Sequence, residues 1–474
     1  MKAKFTLLVM MLSLMAFTAN AQVNGANCCE NKGQEASKDE IRYNQYGVPV
    51  NRTKLQVEER NGILVMESKN SDYRVWFDTR VQVDGAAFFG ENKDFDPIGN
   101  GVSIRRARFA MKAQVTPDWY GEIDTDFANG VFELKDAIIR YSGLKNFEFT
   151  VGNFKEGFSM EATTTSRYLP FMERPMIVHA FAPSRHIGLQ GNFNKNWFLA
   201  IAGIHYQAVE DLETRVNVED NNKDFGRNTG YSYTGKIVAM PFASNPNYGL
   251  HFGAAASYRT PKSDMATSEY GGVRYSTRNS TSINRKKYLD TDVIKDVNHD
   301  LLYGAEFAGF YKGLRFQGEY IGNNTYLNTV PGASDKTVYK FNGWYAYAGW
   351  LIFGGQYQYN TSEGEFTQPR RGKSWGDIEL LARYDYINLN SGNIYGGSAQ
   401  AYTIGLNYYI NNNFKVMVNY QYNDNDRYAN GKGKLYTGYD ASGKPTKDYT
   451  KIVTEKGMAG VDYSMLSIRF EIDF

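Results

Sequence analysis

The sequence predicts an all-β fold, a transmembrane antiparallel β-barrel of about 16 strands, and three observations carry that prediction. The stretch Ser464 to Phe474, SMLSIRFEIDF, places Leu466, Ile468, Phe470, Ile472 and Phe474 on one parity and Ser467, Arg469, Glu471 and Asp473 on the other. Such a strand has one oily and one charged face. The chain opens with an export signal: Lys2 and Lys4 precede an apolar run from Phe5 to Phe17, and Ala19-Asn20-Ala21 supplies the small residues a signal peptidase needs. Finally, aromatic residues make up 15% of the chain although its mean hydropathy is -0.51. A barrel around water reconciles the two, because it hides its hydrophobicity in alternate residues.

The opening apolar run is too short to span a bilayer, and no other stretch approaches the roughly 20 apolar residues of a spanning helix. The expected organisation is a signal peptide over residues 1–21, a polar periplasmic N-terminal extension over 22–61 and the barrel over 62–474. A formal net charge of +2 sets up no global basic field for nucleic acid. The two cysteines, Cys28 and Cys29, are adjacent, which makes a poor intrachain staple; they read as incidental or intermolecular.

Along the chain, Gly62 to Ser68 and the turn-forming Lys69 to Asp72 lead as a hairpin into the first long strand. There Val75, Phe77, Val81 and Val83 alternate with Trp76, Asp78, Arg80, Gln82 and Asp84. The oily parity is assigned to lipid and the charged parity to a lumen. In the next strand Ala107, Phe109, Met111 and Ala113 alternate with Arg106, Arg108, Lys112 and Gln114; after Thr116-Pro117-Asp118, Ile123 and Phe127 alternate with Glu122, Asp124 and Asp126. Further strands are expected near Val131 to Tyr141, Phe147 to Lys155, Arg185 to Phe193, Trp197 to Tyr206, Tyr231 to Phe242, Gly249 to Tyr258, Leu301 to Tyr311 and Leu314 to Asn323. The last five lie near Tyr339 to Phe353, Trp375 to Ile387, Ala401 to Ile410, Phe414 to Asn423 and Gly460 to Phe474.

Connections alternate in length, as they do in bacterial barrels with short periplasmic turns and long outer loops. Thr116 to Asp118, Asn194 to Asn196 and Asn411 to Asn413 are short; Glu156 to Ser184, Gln207 to Gly230, Arg259 to Asp300 and Asp424 to Ala459 are long. Ala128 to Gly130 and Gly354 to Ser374 break the alternation. Trp197, Trp344, Trp350, Tyr402, Tyr408, Tyr420 and Tyr422 fall on the lipid parity, as interfacial girdles require. The lumen parity reads mostly as Gly, Ser, Asn and charged residues, the composition of an open bore.

Between Gly101 and Leu189, the segments GVSIRRARF, ELKDAIIRYSGL, FTVGNFKEGFSME, SRYLPFMERP and AFAPSRHIGL stand in an order and spacing that resembles the phosphate-selective porin O and P family. The final SIRFEIDF fits too, and the style is that of Bacteroidetes members. The resemblance implies a homotrimeric channel in the outer membrane of a Gram-negative cell, with a third outside loop, here Glu156 to Ser184, folded inward to narrow the pore. It implies passage of small anions or polar solutes, contact with outer-membrane lipid, and recognition of Phe474 by the barrel-assembly machinery. Rings of Arg or Lys confer anion selectivity by replacing hydration with charge-assisted hydrogen bonds. Carried over to matching positions, the anion contacts are Arg106, Arg108, Lys112, Lys155, Arg167, Arg174 and Arg185.

Opposing acids share that wall: Asp78, Glu122, Asp124 and Asp126, with Asp84 and Asp136. The local charge is near zero, so the residues leave open an anion channel, a general diffusion channel, a sugar- or cation-preferring channel, and a structural or adhesive barrel with a closed lumen. Tyr168, Phe171 and Phe181 in the inward loop are candidates for stacking on a sugar ring. The histidines 179, 186, 205, 251 and 299 have no metal-ligand spacing, and neither a nucleophile elbow nor a phosphate loop occurs. No enzyme activity, metal or cofactor is expected; His205, at a strand end near serines, is the nearest catalytic candidate.

Overall fold

The structure, a computed structural model, describes residues 42–50, 54–90, 98–209, 227–228, 230–264, 271–278, 280–283, 286–328, 337–426, 438–453 and 462–474. Residues 1–21, expected from the sequence to be a signal peptide, and Cys28 and Cys29 lie outside the described residues. Two compact units are distinguished, Met1–Thr53 and Lys54–Phe474. In the first, Arg42–Tyr43 pairs with Pro49–Val50 around a turn closed by the Gly47 N–H on the Asn44 carbonyl at 3.0 Å.

The second unit is a closed antiparallel barrel of sixteen long strands. In chain order they are β1 Arg74–Phe89, β2 Gly101–Thr116, β3 Trp119–Asp126, β4 Glu133–Leu144, β5 Phe147–Lys155, β6 Arg185–Lys195, β7 Phe198–His205 and β8 Ser232–Ala239. The circuit continues through β9 Tyr248–Arg259, β10 Val297–Tyr311, β11 Leu314–Leu327, β12 Val338–Leu351, β13 Asp377–Ser391, β14 Ile394–Tyr409, β15 Phe414–Asn425 and β16 Tyr463–Asp473. Closure pairs β16 with β1 from Ser464 opposite Phe89 to Asp473 opposite Arg80. Phe474 completes the seam, donating its N–H to the Thr79 carbonyl at 3.0 Å and accepting the Thr79 N–H at 2.6 Å.

Period-two chemistry decides which face is which. Phe470 is 47% exposed whereas Glu471 beside it is 1% exposed. Trp197, Trp344, Trp350, Tyr402, Tyr420 and Tyr422 are likewise exposed on the outer face, and among the described residues no helix is long and apolar enough to cross a membrane. Ahead of the barrel, Leu55–Arg60 pairs with Ile63–Ser68 around Asn61-Gly62, whose φ values of 54° and 86° are those a type I′ turn demands. The sequence places Leu55–Arg60 in the polar extension. It forms a strand exposed along its whole length, so one-sided burial never imposed an alternating pattern.

The barrel's two ends differ. At the end holding Phe474, the turn end, most connections are short, as at Asn146 (φ 65°) and Asn196 (φ 42°). Both irregular connections are real: residues 127–132 form a brief 3-10 turn at the loop end, and residues 352–376 form a long segment at the turn end. One further connection is shorter than the sequence indicates. β13 runs to Ser391 and β14 returns from Ile394, because an irregularity at Asn388/Asn390 carries the pairing past the point where apolar alternation fades.

Three connections fold into the barrel. Residues 156–184 contain α1 Met160–Thr163 and α2 Met176–Phe181, and Phe171, Met176, Ile177 and Phe181 are buried with Phe341, Tyr345, Tyr347, Leu381 and Ile387. The described residues of 260–296 add Tyr275, Tyr288, Leu289 and Ile294 to that core. From the turn end, Tyr357 and Phe366 of segment 352–376 pack with Met160, Phe310, Leu351 and Tyr409. The open bore expected from the lumen parity is therefore corrected: Phe341, Tyr345, Tyr347 and Tyr409 fill the β10–β16 side, since inward segments of this size need an apolar surface to pack on.

Candidate functional site

Open space remains on the opposite side, as a cavity of about 460 Å³ bounded by β1–β8, α1 and the strands and tip of segment 352–376. Its wall grows out of the alternation. β2 contributes Arg108 and Lys112, β3 Glu122 and Asp124, β4 Asp136 and Arg140, β5 Lys155, β6 Arg185 and β8 Lys236. Tyr168 faces it from the inward loop 156–184, and Glu363 and Glu365 from segment 352–376.

Four of the seven expected anion contacts are neutralised by acids. Arg108 holds Asp126 at 3.1 Å and Asp124 at 3.6 Å; Lys112 holds Asp78 at 2.9 Å and Glu122 at 3.6 Å. Arg185 grips Asp136 through two hydrogen bonds of 3.0 and 2.6 Å, and Arg167 pairs with Asp78. The other three have neutral partners. Arg106 donates to Gln82 Oε1 at 2.5 Å and Arg174 to the carbonyls of Glu161 and Thr164, both at 2.7 Å. Lys155 Nζ caps the end of α1 through the carbonyls of Thr163 (3.0 Å) and Thr164 (3.2 Å).

Placement separates the candidates further. Arg108, Lys112, Lys155 and Arg185 line the cavity with Asp78, Glu122 and Asp124; Arg106, Arg167, Arg174 and Asp126 do not. Asp126 instead accepts the N–H groups of Ala107 and Ala128, each at 3.1 Å. A bulge opposite Gln82 and Val83 admits Arg105 beside Arg106, and Arg105 reaches Glu173 of the inward loop.

The inward loop is held from all sides. At the N-terminus of α1, the Met160 N–H donates to Glu306 at 2.8 Å and the Glu161 N–H to Glu319 at 2.7 Å. Arg469 donates to the Met172 carbonyl at 2.6 Å, Arg383 to the Glu173 carbonyl at 2.8 Å and Lys415 to the Arg167 carbonyl at 2.5 Å. Burial alone would push the Glu173 carboxyl up, but Arg105, His179 and Arg469 hold it well below the usual range. Burial pushes Arg174 down to about 10 and raises Glu161. At the base of the loop, Glu156 is fully buried and held low, against its burial, by Arg259 at 2.8 Å and His186 at 2.7 Å.

Two aromatic expectations are corrected. Phe171 packs against Tyr347 and the Arg383 guanidinium, and Phe181 against Tyr275, so neither presents a face to a solute; Tyr168 alone of the three lines the cavity. His205, the strand-end histidine, is fully buried, 3.8 Å from Glu156 and edge-on to Phe154. The carboxylates of Glu122, Asp124 and Asp136 approach within 4.8 Å of one another, yet Arg108, Lys112 and Arg185 already compensate their charge, an arrangement that does not favour a metal ion.

Sequence reasoning missed Arg140, Lys236, Glu363 and Glu365 as lining residues. Arg140 and Lys236 sit on inward strand positions and were within reach of parity. Glu363 and Glu365 were not, since they belong to a connection without period.

The profile of the family described as phosphate-selective porin O and P matches residues 75–440. A Pseudomonas aeruginosa protein named Porin O is 22% identical over 410 residues, covering 80% of this chain and 89% of its own. A Caulobacter vibrioides protein described as uncharacterized is 26% identical over 326 residues, 68% of this chain; the match spans 63% of that relative. Among solved structures, an anion-selective porin from Comamonas acidovorans aligns with TM-score 0.47 at 10% identity, over 85% of this chain and 100% of its own. OmpT of Vibrio cholerae aligns with TM-score 0.44 at 11% identity, over 88% and 100%. With a profile match across most of a sixteen-stranded barrel, the chain belongs to the phosphate-selective porin O and P family of outer-membrane porins.

Proposed function

We propose that the protein is a passive diffusion channel for small polar and ionic solutes, with its path along the charged cavity between β1–β8, α1 and segment 352–376. One observation carries this reading. Seven cationic and six acidic side chains line that cavity. Paired charges of this kind give a wet wall with a transverse field rather than a one-sign filter. Lys155, whose hydrogen-bond partners are carbonyls, supplies a mild anion preference, and phosphate is one anion that would use it. Arg108, Lys112 and Arg185 orient passing solutes while remaining tied to their acids. The family supports a homotrimer seated in outer-membrane lipid, export through residues 1–21, a periplasmic start to the mature chain and assembly through Phe474; the seam at Thr79 is consistent with the last.

Purified protein in a planar bilayer tests the proposal. Stable ion current with reversal potentials only weakly favouring chloride over potassium is expected. A protein that inserts as an inert oligomer would sink the channel reading. That result would favour a structural barrel, for which the aromatic packing of the β10–β16 side is the specific support.

A further inference from the structure

A second cavity, of about 600 Å³, opens at the turn end between the β8–β9 turn, the wall of β9 and β10, and segment 352–376. Its chemistry differs from that of the charged cavity. Among the described residues no carboxylate lines it, and its only cationic or imidazole side chains, His251 and Arg370, are engaged. His251 bridges Glu306 at 2.9 Å and the Tyr359 hydroxyl at 2.5 Å; Arg370 donates to Gln356 Oε1 at 2.7 Å.

What remains is rings and amides. Phe242, 43% exposed, supplies most of the aromatic surface and Tyr359 adds part of a ring, with Phe310 and Tyr357 buried behind them. Gln356 is tied to Asn247 and Arg370, which leaves Gln358 and the side-chain N–H groups of Asn245 and Asn360 to meet a ligand. An amide offers donors and an acceptor side by side, matching hydroxyls that also do both. Rings take up the C–H faces of a small molecule, and the volume suits a ligand rather than a bulk-water vestibule. An inorganic anion would find one guanidinium, already shared. A divalent cation would find no carboxylate, and an acyl chain would strip water from the Gln358, Asn245 and Asn360 amides without replacing it.

We propose that this cavity is a subsite for a neutral mono- or disaccharide at the turn-end mouth. The assignment rests on the channel reading for how a sugar reaches the site, but not for the site itself.

Maltose is the probe. Added to the turn-end side of a single channel, it should interrupt the ion current, and the same concentration on the loop-end side should do so less. Phe242→Ala, at an exposed turn position, should weaken the block about tenfold, and Phe242→Trp should retain it. Isothermal titration of maltose into the detergent-solubilised protein reads the same site without conduction and should show the same rank order. A conducting channel that maltose neither blocks nor heats, or a response unchanged by Phe242→Ala, overturns the subsite. Titration heat that Phe242→Ala abolishes, in a protein that carries no current, upholds the subsite and removes the channel reading instead.

Discussion

The carboxylate of Glu365 accepts the backbone N–H of Thr165 at 3.0 Å, joining a segment that enters the barrel from the turn end to one that enters from the loop end. The contact lies at the edge of the charged cavity, which both Thr165 and Glu365 line. Burial pushes Glu365 from its ordinary 4.5 up to about 7, with Lys155 acting in the opposite sense.

A pH dependence follows. Below about 7 Glu365 is neutral and the lining has one acid fewer; above it, the carboxylate is charged and opposes Lys155. The ratio of cation to anion permeability should therefore rise as pH climbs through about 7, read as reversal potential in a potassium chloride gradient. Glu365→Gln should hold the ratio at its low-pH value throughout. The stability sign agrees: between 4.5 and about 7 the folded protein keeps a proton that the unfolded chain releases, so this contribution is present at low pH and lost as pH rises.

Lys155 and Arg106 separate two kinds of inward cation. Lys155 lines the cavity with no carboxylate in direct ion-pair contact among the described residues, whereas Arg106 is buried against Gln82 away from it. Lys155→Ala should shift the reversal potential toward cations; Arg106→Ala should leave it nearly unchanged while lowering stability by about 1–3 kcal/mol through the unpaired Gln82. Equal shifts for both variants would show that distance to the cavity does not decide selectivity.

The closing seam contains a buried ion pair. Arg469 Nε and Nη2 each meet an Asp84 oxygen at 2.7 Å, and both residues are nearly inaccessible. Asp84→Ala removes both short contacts at the β16–β1 junction and leaves Glu173, at 3.5 Å, as the carboxylate facing the guanidinium; it should cost about 3 kcal/mol, measured by heat or urea unfolding in detergent. Adding Arg469→Met should recover part of that loss. An unfolding midpoint equal to wild type for the single variant would remove the seam pair from the account of closure.

Much of this was legible in the sequence, and the boundary is physical. Alternation is a local signal, so SMLSIRFEIDF, the lipid-facing tryptophans and the charged wall from Asp78 to Asp136 read directly. Long connections between strands announced the inward loop's position. What did not read out is the packing of one connection on another: nothing local marks Tyr357 and Phe366 as buried or Glu365 as a wall residue, because their partners lie on distant strands and on Met160. Arg106 lies off the charged cavity, with Gln82 as its partner, although its parity is inward. Parity says which side a residue faces, but not whether a carbonyl or an amide will already occupy it.

Gly343 tests whether the inward loop sets the width of the path. On β12, a Cβ at this position would lie 2.2 Å from Ile177 Cγ2 of α2 and 2.5 Å from the Tyr386 carbonyl of β13. A methyl group therefore cannot be added without displacing α2 or parting two strands, and α2 is the element held by side-chain packing rather than by a ladder. Gly343→Ala should lower stability by about 1–3 kcal/mol and release α2 from Phe341 and Tyr345. Single-channel conductance should rise and residues 156–184 should become cleavable by added protease, which the wild-type loop, tied to Glu306, Glu319, Arg383 and Arg469, should resist. Unchanged conductance in a variant whose loop is cleaved would mean that segment 352–376, rather than the loop, limits flow, and Gly343→Ala combined with a shortened 352–376 segment should then conduct more than either change alone.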